Sequence, residues 1–174
     1  GLQSDVPEGD YRIPIGEAAL VREGDDLTIV SLSYMTVEAM HAIEELNNLG
    51  ISCDLLDLRS TSPLDWSKVF QSVKKTGRLL ALDSASGSFS ISSEVIAKVS
   101  MHCHEDLKCA PKRLALDDIP SPTSFGLTKD YYIGAKEIFE TALKILNKPS
   151  VNTSNKFLKD HPHDVPGDWF KGPF

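Results

Sequence analysis

Ile51-Ser52-Cys53-Asp54-Leu55-Leu56-Asp57-Leu58-Arg59-Ser60-Thr61-Ser62-Pro63-Leu64-Asp65 is the stretch that decides the fold. Leu55, Leu56 and Leu58 form the short apolar run of a strand buried on both faces, as in a parallel sheet. Pro63 cannot donate to a strand ladder and suits the turn that follows. Asp65 is placed to cap a helix. Trp66, Val69, Phe70 and Val73 then recur at i, i+3, i+4 and i+7, the apolar stripe of that helix. Strand, turn and helix follow one another, and the pattern repeats on both sides.

Upstream, residues 27–32 (Leu-Thr-Ile-Val-Ser-Leu) are β-rich and predict a central strand. Residues 17–22 predict a short strand, and Glu23-Gly24-Asp25-Asp26 predicts a tight turn. That turn sets the first strand antiparallel to the second, which places it at the sheet edge. Residues 35–49 predict a helix with Val37, Met40, Ile43 and Leu46 turned inward beside Ala39 and Ala42. Gly50 stands where a left-handed C-terminal residue belongs.

Downstream, Thr76-Gly77 stops the second helix and residues 78–83 form the next strand. A small-residue loop, Ser84-Ala85-Ser86-Gly87-Ser88, leads into a helix with the stripe Ile91, Val95, Val99 and Cys103. Residues 112–116 predict a last short strand, and 117–128, with Pro120 and Pro122, a loop. Ala135, Ile138, Phe139, Ala142, Leu143 and Leu146 mark an amphipathic helix, with Gly134 as N-cap and Glu137 at the capping-box position. Alternating strands and helices imply right-handed crossovers. The expected fold class is α/β: a three-layer α/β/α domain over 17–147, its five-stranded sheet mostly parallel with one antiparallel edge strand. Residues 1–16 read as an extended lead-in and 148–174 as an extended tail.

Composition excludes several classes. The chain has 174 residues, 41% hydrophobic and 25% charged, with a net charge of −7. The tail carries four lysines and three aspartates, so +1 against −8 for the remainder. Without a basic block, nucleic acid is not an expected partner. No apolar run reaches the ~20 residues of a membrane span, so no membrane partner is expected either. A start at Gly1 without Met is expected of a processed chain or a fragment. Cys53, Cys103 and Cys109 form no paired framework, which suits reduced thiols in the cytoplasm.

Chemistry is sparse. The clearest site candidate is the loop that runs into the third helix, with Ser84, Ser86, Gly87, Ser88 and Ser90 as a possible anion-binding set. Backbone N–H groups at such a helix start can hold an anion at the carboxyl end of a sheet. The plainer reading is a capped loop rich in hydroxyls, since neither G-x-G-x-x-G nor a P-loop motif is present. His102-Cys103-His104 with Cys109 matches no zinc spacing, and Cys103 falls on the core stripe. His41, near Glu38, Glu44 and Glu45, is expected on a solvated face, and His161 and His163 in a polar tail. Asp54, Asp57, Asp83, Asp117 and Asp118 could pair as acid and base, but turn formation and capping explain them more simply. No G-x-S-x-G elbow and no H-E-x-x-H occur. From the residues alone, this is an α/β domain without a catalytic set.

Several blocks nevertheless resemble one family. They are Val6-Pro7-Glu8-Gly9-Asp10-Tyr11-Arg12-Ile13-Pro14-Ile15-Gly16-Glu17-Ala18, Val21-Arg22-Glu23-Gly24-Asp25-Asp26-Leu27-Thr28-Ile29-Val30, the Asp57-Leu58-Arg59 to Pro63-Leu64-Asp65 block, Val73 to Leu80, and Asp118-Ile119-Pro120-Ser121-Pro122. In that order they resemble the C-terminal domain of E1 β subunits of thiamine-diphosphate-dependent 2-oxo acid dehydrogenases (pyruvate and branched-chain types), which share a transketolase C-terminal domain. The resemblance implies subunit assembly and docking of an E2 acyltransferase, with no catalytic or cofactor-binding residue in this domain. Thiamine diphosphate and Mg²⁺ would belong to other domains of the parent enzyme, in an α2β2-type assembly. The parent would be cytoplasmic, or mitochondrial in a eukaryote. Two departures stand out. Phe89 and Ser90 occupy the places of a usual Gly-Gly pair before Glu94, and Cys109 stands where E2-docking members carry an acidic residue before Ala110-Pro111. Cys109 and the tail aromatics Phe157, Trp169 and Phe170 are therefore the candidate docking residues. The alternatives are the equivalent domain of a transketolase or deoxyxylulose-phosphate synthase, or a stand-alone anion-binding or assembly module.

Overall fold

The computed structural model describes residues 7–128, 131–151 and 157. Five strands form one sheet, β1 (Ala19–Arg22), β2 (Leu27–Ser31), β3 (Cys53–Asp57), β4 (Leu79–Ser86) and β5 (Lys112–Leu116), in the order β1-β3-β2-β4-β5. The β2–β3, β2–β4 and β4–β5 pairs are parallel, and only β1–β3 is antiparallel. Helices α1 (Tyr34–Asn47), α2 (Trp66–Thr76), α3 (Ile91–His102), α4 (Phe125–Thr128) and α5 (Ala135–Ile145) complete the described elements, with a 3₁₀ turn at His104–Asp106.

Strand periodicity sorts the sheet residues into two cores. Leu27, Ile29, Cys53, Leu55, Leu80 and Leu82 face α1 and α5. Val30, Leu56, Leu58, Leu79 and Ala81 face α2 and α3, against Val69, Val73, Val95, Val99 and Cys103. The three-layer α/β/α arrangement expected from the sequence is therefore present.

Each helix has a physical start and stop. Asp65 caps α2 by accepting the Lys68 N–H at 3.1 Å, and a second oxygen accepts from Ala18 N–H. Gly77, at φ 73, closes α2 in the left-handed region where a side chain would be strained. Glu137 accepts the Gly134 N–H at 2.9 Å at the start of α5. The Ser62–Pro63 peptide is cis, in the turn that Pro63 marks.

Four expectations need correction. β1 runs opposite to β2 and lies at the edge, but its hydrogen-bonded partner is β3, through Ala19↔Asp57 and Leu20↔Leu56. The 23–26 turn is thus no hairpin; it crosses the start of β3, where Asp25 N–H reaches Ser52 Oγ and Asp26 N–H the Ser52 carbonyl. On α1, Met35, Thr36, Glu38, Ala39, Ala42, Ile43 and Leu46 are buried, while Val37 and Met40 are only half-buried. The cause is the start at Tyr34 and the packing of α5 alongside, which turns the Glu38 flank inward. There Glu38 accepts the Ala135 N–H at 2.9 Å. His41 on the same helix is half-buried rather than solvated. Finally, Ser84 and Ser86 are not loop residues, because β4 continues to Ser86 past a register shift after Leu82.

Candidate functional site

The carboxyl ends of β2, β3, β4 and β5 lie on one side of the sheet, the side where open α/β folds place ligands. The β4–α3 connection dominates it. Ser90 caps α3 by accepting the Ser93 N–H at 3.3 Å. Asp83 accepts from Ala85 N–H at 3.0 Å and Ser92 N–H at 3.1 Å, tying the end of the strand to the first turn of the helix. Gly87 N–H donates to the Leu116 carbonyl. Ser88 donates to Asp118 from both its N–H and its hydroxyl. Arg113, on β5, reaches the Gly87 carbonyl and Ser93 Oγ. A Cβ on Gly87 would stand 2.8 Å from the Arg113 guanidinium, so a side chain there would push Arg113 aside.

The Ala85, Ser88 and Ser92 N–H groups thus meet carboxylates of this chain, and those of Gly87 and Ser93 meet a carbonyl and a hydroxyl. Asp118 is held below the ordinary Asp range, first by the Ser88 hydroxyl, then by the Ser88 N–H and, more weakly, by Arg113. Internal anions supply the negative partner that a helix start favours. Ser84, Ser86 and Ser88 stay exposed beside them, and Ser90 and its neighbour Ser92 share a 2.7 Å contact.

Three successive strand-to-helix connections carry a non-glycine residue in left-handed backbone: Ser33 (φ 57), Arg59 (φ 57) and Phe89 (φ 55). At Ser33 the accompanying ψ of −134 lies in a region that glycine alone enters at little cost. Phe89 is fully exposed, so its ring gains no contact from the turn it strains. At a φ of 55, Phe89 holds a conformation that glycine enters without steric cost.

The other sequence candidates scatter. Cys109 and Phe157 are half-buried against the α1–α5 core, with the Phe157 ring 5.7 Å from that of Phe139 on α5. Trp169, Phe170, Phe174, His161 and His163 lie outside the described residues. Cys103 is buried, and the exposed His102 ring lies 5.0 Å from that of Phe70. Asp57 accepts from Arg59 N–H, and Asp117 lies exposed in the β5–α4 connection.

One cluster escaped the sequence reading. Asp54, at 2% exposure, accepts from Gly24 N–H (2.9 Å), Ser72 Oγ (2.6 Å) and Lys75 Nζ (2.7 Å). Thr28 Oγ1 bridges Ser72 Oγ (2.7 Å) and Thr76 Oγ1 (2.8 Å). The signal was present in the residue types, since Thr28, Asp54, Ser72 and Thr76 hold core phases on their elements where apolar residues belong. Lys75 loses basicity through burial, but the Asp54 hydrogen bond and charge outweigh this and raise its pKa. The cluster floors a cleft of about 230 Å³ walled by Leu20, Leu56, Lys68 and Gln71. Thr28, Asp54, Ser72, Lys75 and Thr76 each have a partner within the chain, which is the mark of a structural network.

The family model for the transketolase C-terminal domain matches residues 16–138. This chain belongs to that family. It is similar to the acetoin:2,6-dichlorophenolindophenol oxidoreductase β subunit of Cupriavidus necator, 38% identical over 84% of this chain and 43% of that protein. It is similar also to the 2-oxoisovalerate dehydrogenase β subunit of Bacillus subtilis, 37% identical over 83% of this chain and 44% of that protein. The pyruvate dehydrogenase E1 β subunit of Mycoplasma genitalium is 41% identical over 79% of this chain and 42% of its own length. Among solved structures, a split-gene transketolase described as an inactive β4 tetramer superposes with a TM-score of 0.69 at 25% identity, over 83% of this chain and 46% of that one. The chain thus spans less than half the length of these relatives.

Proposed function

We propose that this chain is the C-terminal assembly domain of an E1-type 2-oxo acid dehydrogenase, as a β subunit or a fused chain. The observation that carries the reading is the unbroken family match over 16–138, together with identities of 37–41% to the three β subunits above. In the full enzyme, a 2-oxo acid would be decarboxylated with thiamine diphosphate and its acyl group passed to a lipoyl carrier. Among the described residues no group of three or more His, Cys, Asp or Glu is placed to hold a metal ion. The reading assigns thiamine diphosphate and Mg²⁺ to the other domains of the parent enzyme. The domain's part is to join α subunits in an α2β2-type enzyme and to contribute to E2 docking near Cys109 and the tail. The Cys109 and Phe157 side chains, both against the α5 layer, support that location. The enzyme would work in the cytoplasm, or in the mitochondrial matrix of a eukaryote, where three free thiols stay reduced.

The test is the mass of the native protein, followed by co-expression with a candidate α subunit and gel filtration. A native mass equal to that of 174 residues, with no complex formed, overturns the reading. Calorimetry of the isolated chain should give no heat with thiamine diphosphate and Mg²⁺. Tight Mg²⁺-dependent binding would contradict it. The split-gene transketolase neighbour supports a second reading, the equivalent domain of a transketolase. A ketol-transfer assay on the assembled enzyme separates the two.

A further inference from the structure

Tyr11, Ile13 and Ile15 alternate with Arg12 and Pro14 in the lead-in, and they are 52%, 52% and 83% exposed. That period of two is the pattern of a strand with one apolar face. The segment has neither helix nor strand partners among the described residues, and Arg12 pairs only with its neighbour Asp10, at 3.2 Å. Its downstream end is nevertheless fixed to the body. Gly16 N–H donates to Ser60 Oγ and Ala18 N–H to Asp65. Gly16 lies against Pro63 so closely that a Cβ would stand 2.7 Å from its ring, and its φ of 84 sets the turn there. Among the described residues, these three apolar side chains are thus left half exposed or more beside an anchored turn.

We infer that Tyr11, Ile13 and Ile15 form the seat of the domain that precedes this one in the full-length polypeptide. The inference rests on the reading of the chain as one domain of a longer protein. The chain spans less than half the length of the relatives it matches, and the family match is to a C-terminal domain, so this reading joins the additional chain at the lead-in. Covalent attachment at that point gives the preceding domain a high effective concentration at the stripe. An apolar strip of alternating residues fits a sheet edge or shallow groove of that domain.

Tryptic cleavage after Arg12 tests this, read by mass spectrometry on the full-length protein and on residues 1–174 alone. Native mass is measured first; a full-length protein of only 174 residues defeats the domain reading itself, independently of the stripe. In the longer protein Arg12 should be protected, with cleavage at least about tenfold slower than in the isolated chain. The triple variant Tyr11→Ser, Ile13→Ser, Ile15→Ser should abolish that protection and split one melting transition into two. The same triple variant in the isolated chain should melt as the parent does, because these side chains lie outside every described helix, strand and core cluster. Equal cleavage of the long and short proteins, retained protection in the triple variant, or a lowered melting point of the isolated variant would each overturn the inference.

Discussion

Asp54 offers the sharpest test of how this domain holds together. Replacement by Ala removes one carboxylate that accepts from three donors, the Gly24 N–H, the Ser72 hydroxyl and the Lys75 ammonium. Gly24 is buried, so its N–H loses a partner where water does not reach. Leaving the buried Gly24 N–H and Ser72 hydroxyl without this acceptor costs about 1–3 kcal/mol each. Lys75 is 35% exposed and can turn toward Asp25, 3.9 Å away, so its share is small, about 1 kcal/mol or less. Asp54→Asn behaves differently. Its carbonyl still accepts the Gly24 N–H, and its amide donates to Ser72. Ser72 can then donate to Thr28, Thr28 to Thr76, and Thr76 to the Arg78 carbonyl, 3.1 Å away. The hydroxyl chain stays satisfied in reverse, and only the charge pairing is lost, at about 1–2 kcal/mol. Urea titrations of the isolated chain should therefore rank parent, Asp54→Asn and Asp54→Ala in falling stability. The Ala variant should melt roughly 8–16 °C lower. A cost below about 1 kcal/mol for Ala, or equal costs for the two variants, would refute the argument.

Ser33→Gly relieves a left-handed backbone that no Ser33 side-chain cap compensates, and is expected to raise stability by about 1 kcal/mol in a thermal melt. Burial pushes the Cys53 thiol up from 9.0 to about 12, with the Asp26 and Asp54 charges adding to it. The fold keeps this proton while the unfolded chain gives it up, so stability is lost as pH rises from 9.0 towards about 12, by about 4 kcal/mol. Urea midpoints should fall less steeply over that window in Cys53→Ala. Lys75 contributes in the same direction: its raised pKa gives stability that is complete below 10.5 and lost above it. In the native protein at pH 8, maleimide should label Cys109 before the buried Cys53 and Cys103. Phe157→Ala removes a half-buried ring from α5 and should cost about 1–2 kcal/mol in the same urea assay.

The layers were legible because apolar spacing reports burial directly. Leu55, Leu56 and Leu58 alternate between the two cores as a two-sided strand must, and Asp65, Gly77 and Glu137 mark helix ends with local chemistry alone. What escaped was set by contacts distant in sequence. Nothing local says that β1 skips β2 to pair with β3, or that Glu38 turns inward to meet the start of α5 97 residues later. The Ser84–Ser90 segment shows the same limit. A run of small residues announces a loop, but Asp118, 30 residues away from Ser88, determines which partner its donors take. Asp54 was visible as a polar residue in an apolar strand, and turn formation was the wrong explanation for it.

The crossing at Gly24 has a consequence for the order in which the sheet is assembled. An ideal Cβ there would lie 2.2 Å from the Cys53 nitrogen, so the β1–β2 link runs in atomic contact over the first residues of β3. β1 and β2 are close in sequence, yet β3 is inserted between them. A β1–β2 hairpin formed early would occupy the place that β3 needs. β1 is thus a latch, closing only after the parallel pair of β2 and β3 has formed beneath α1. Pulsed hydrogen exchange during refolding should find Leu20 and Arg22 among the last strand amides to gain protection, behind Ile29 and Leu55.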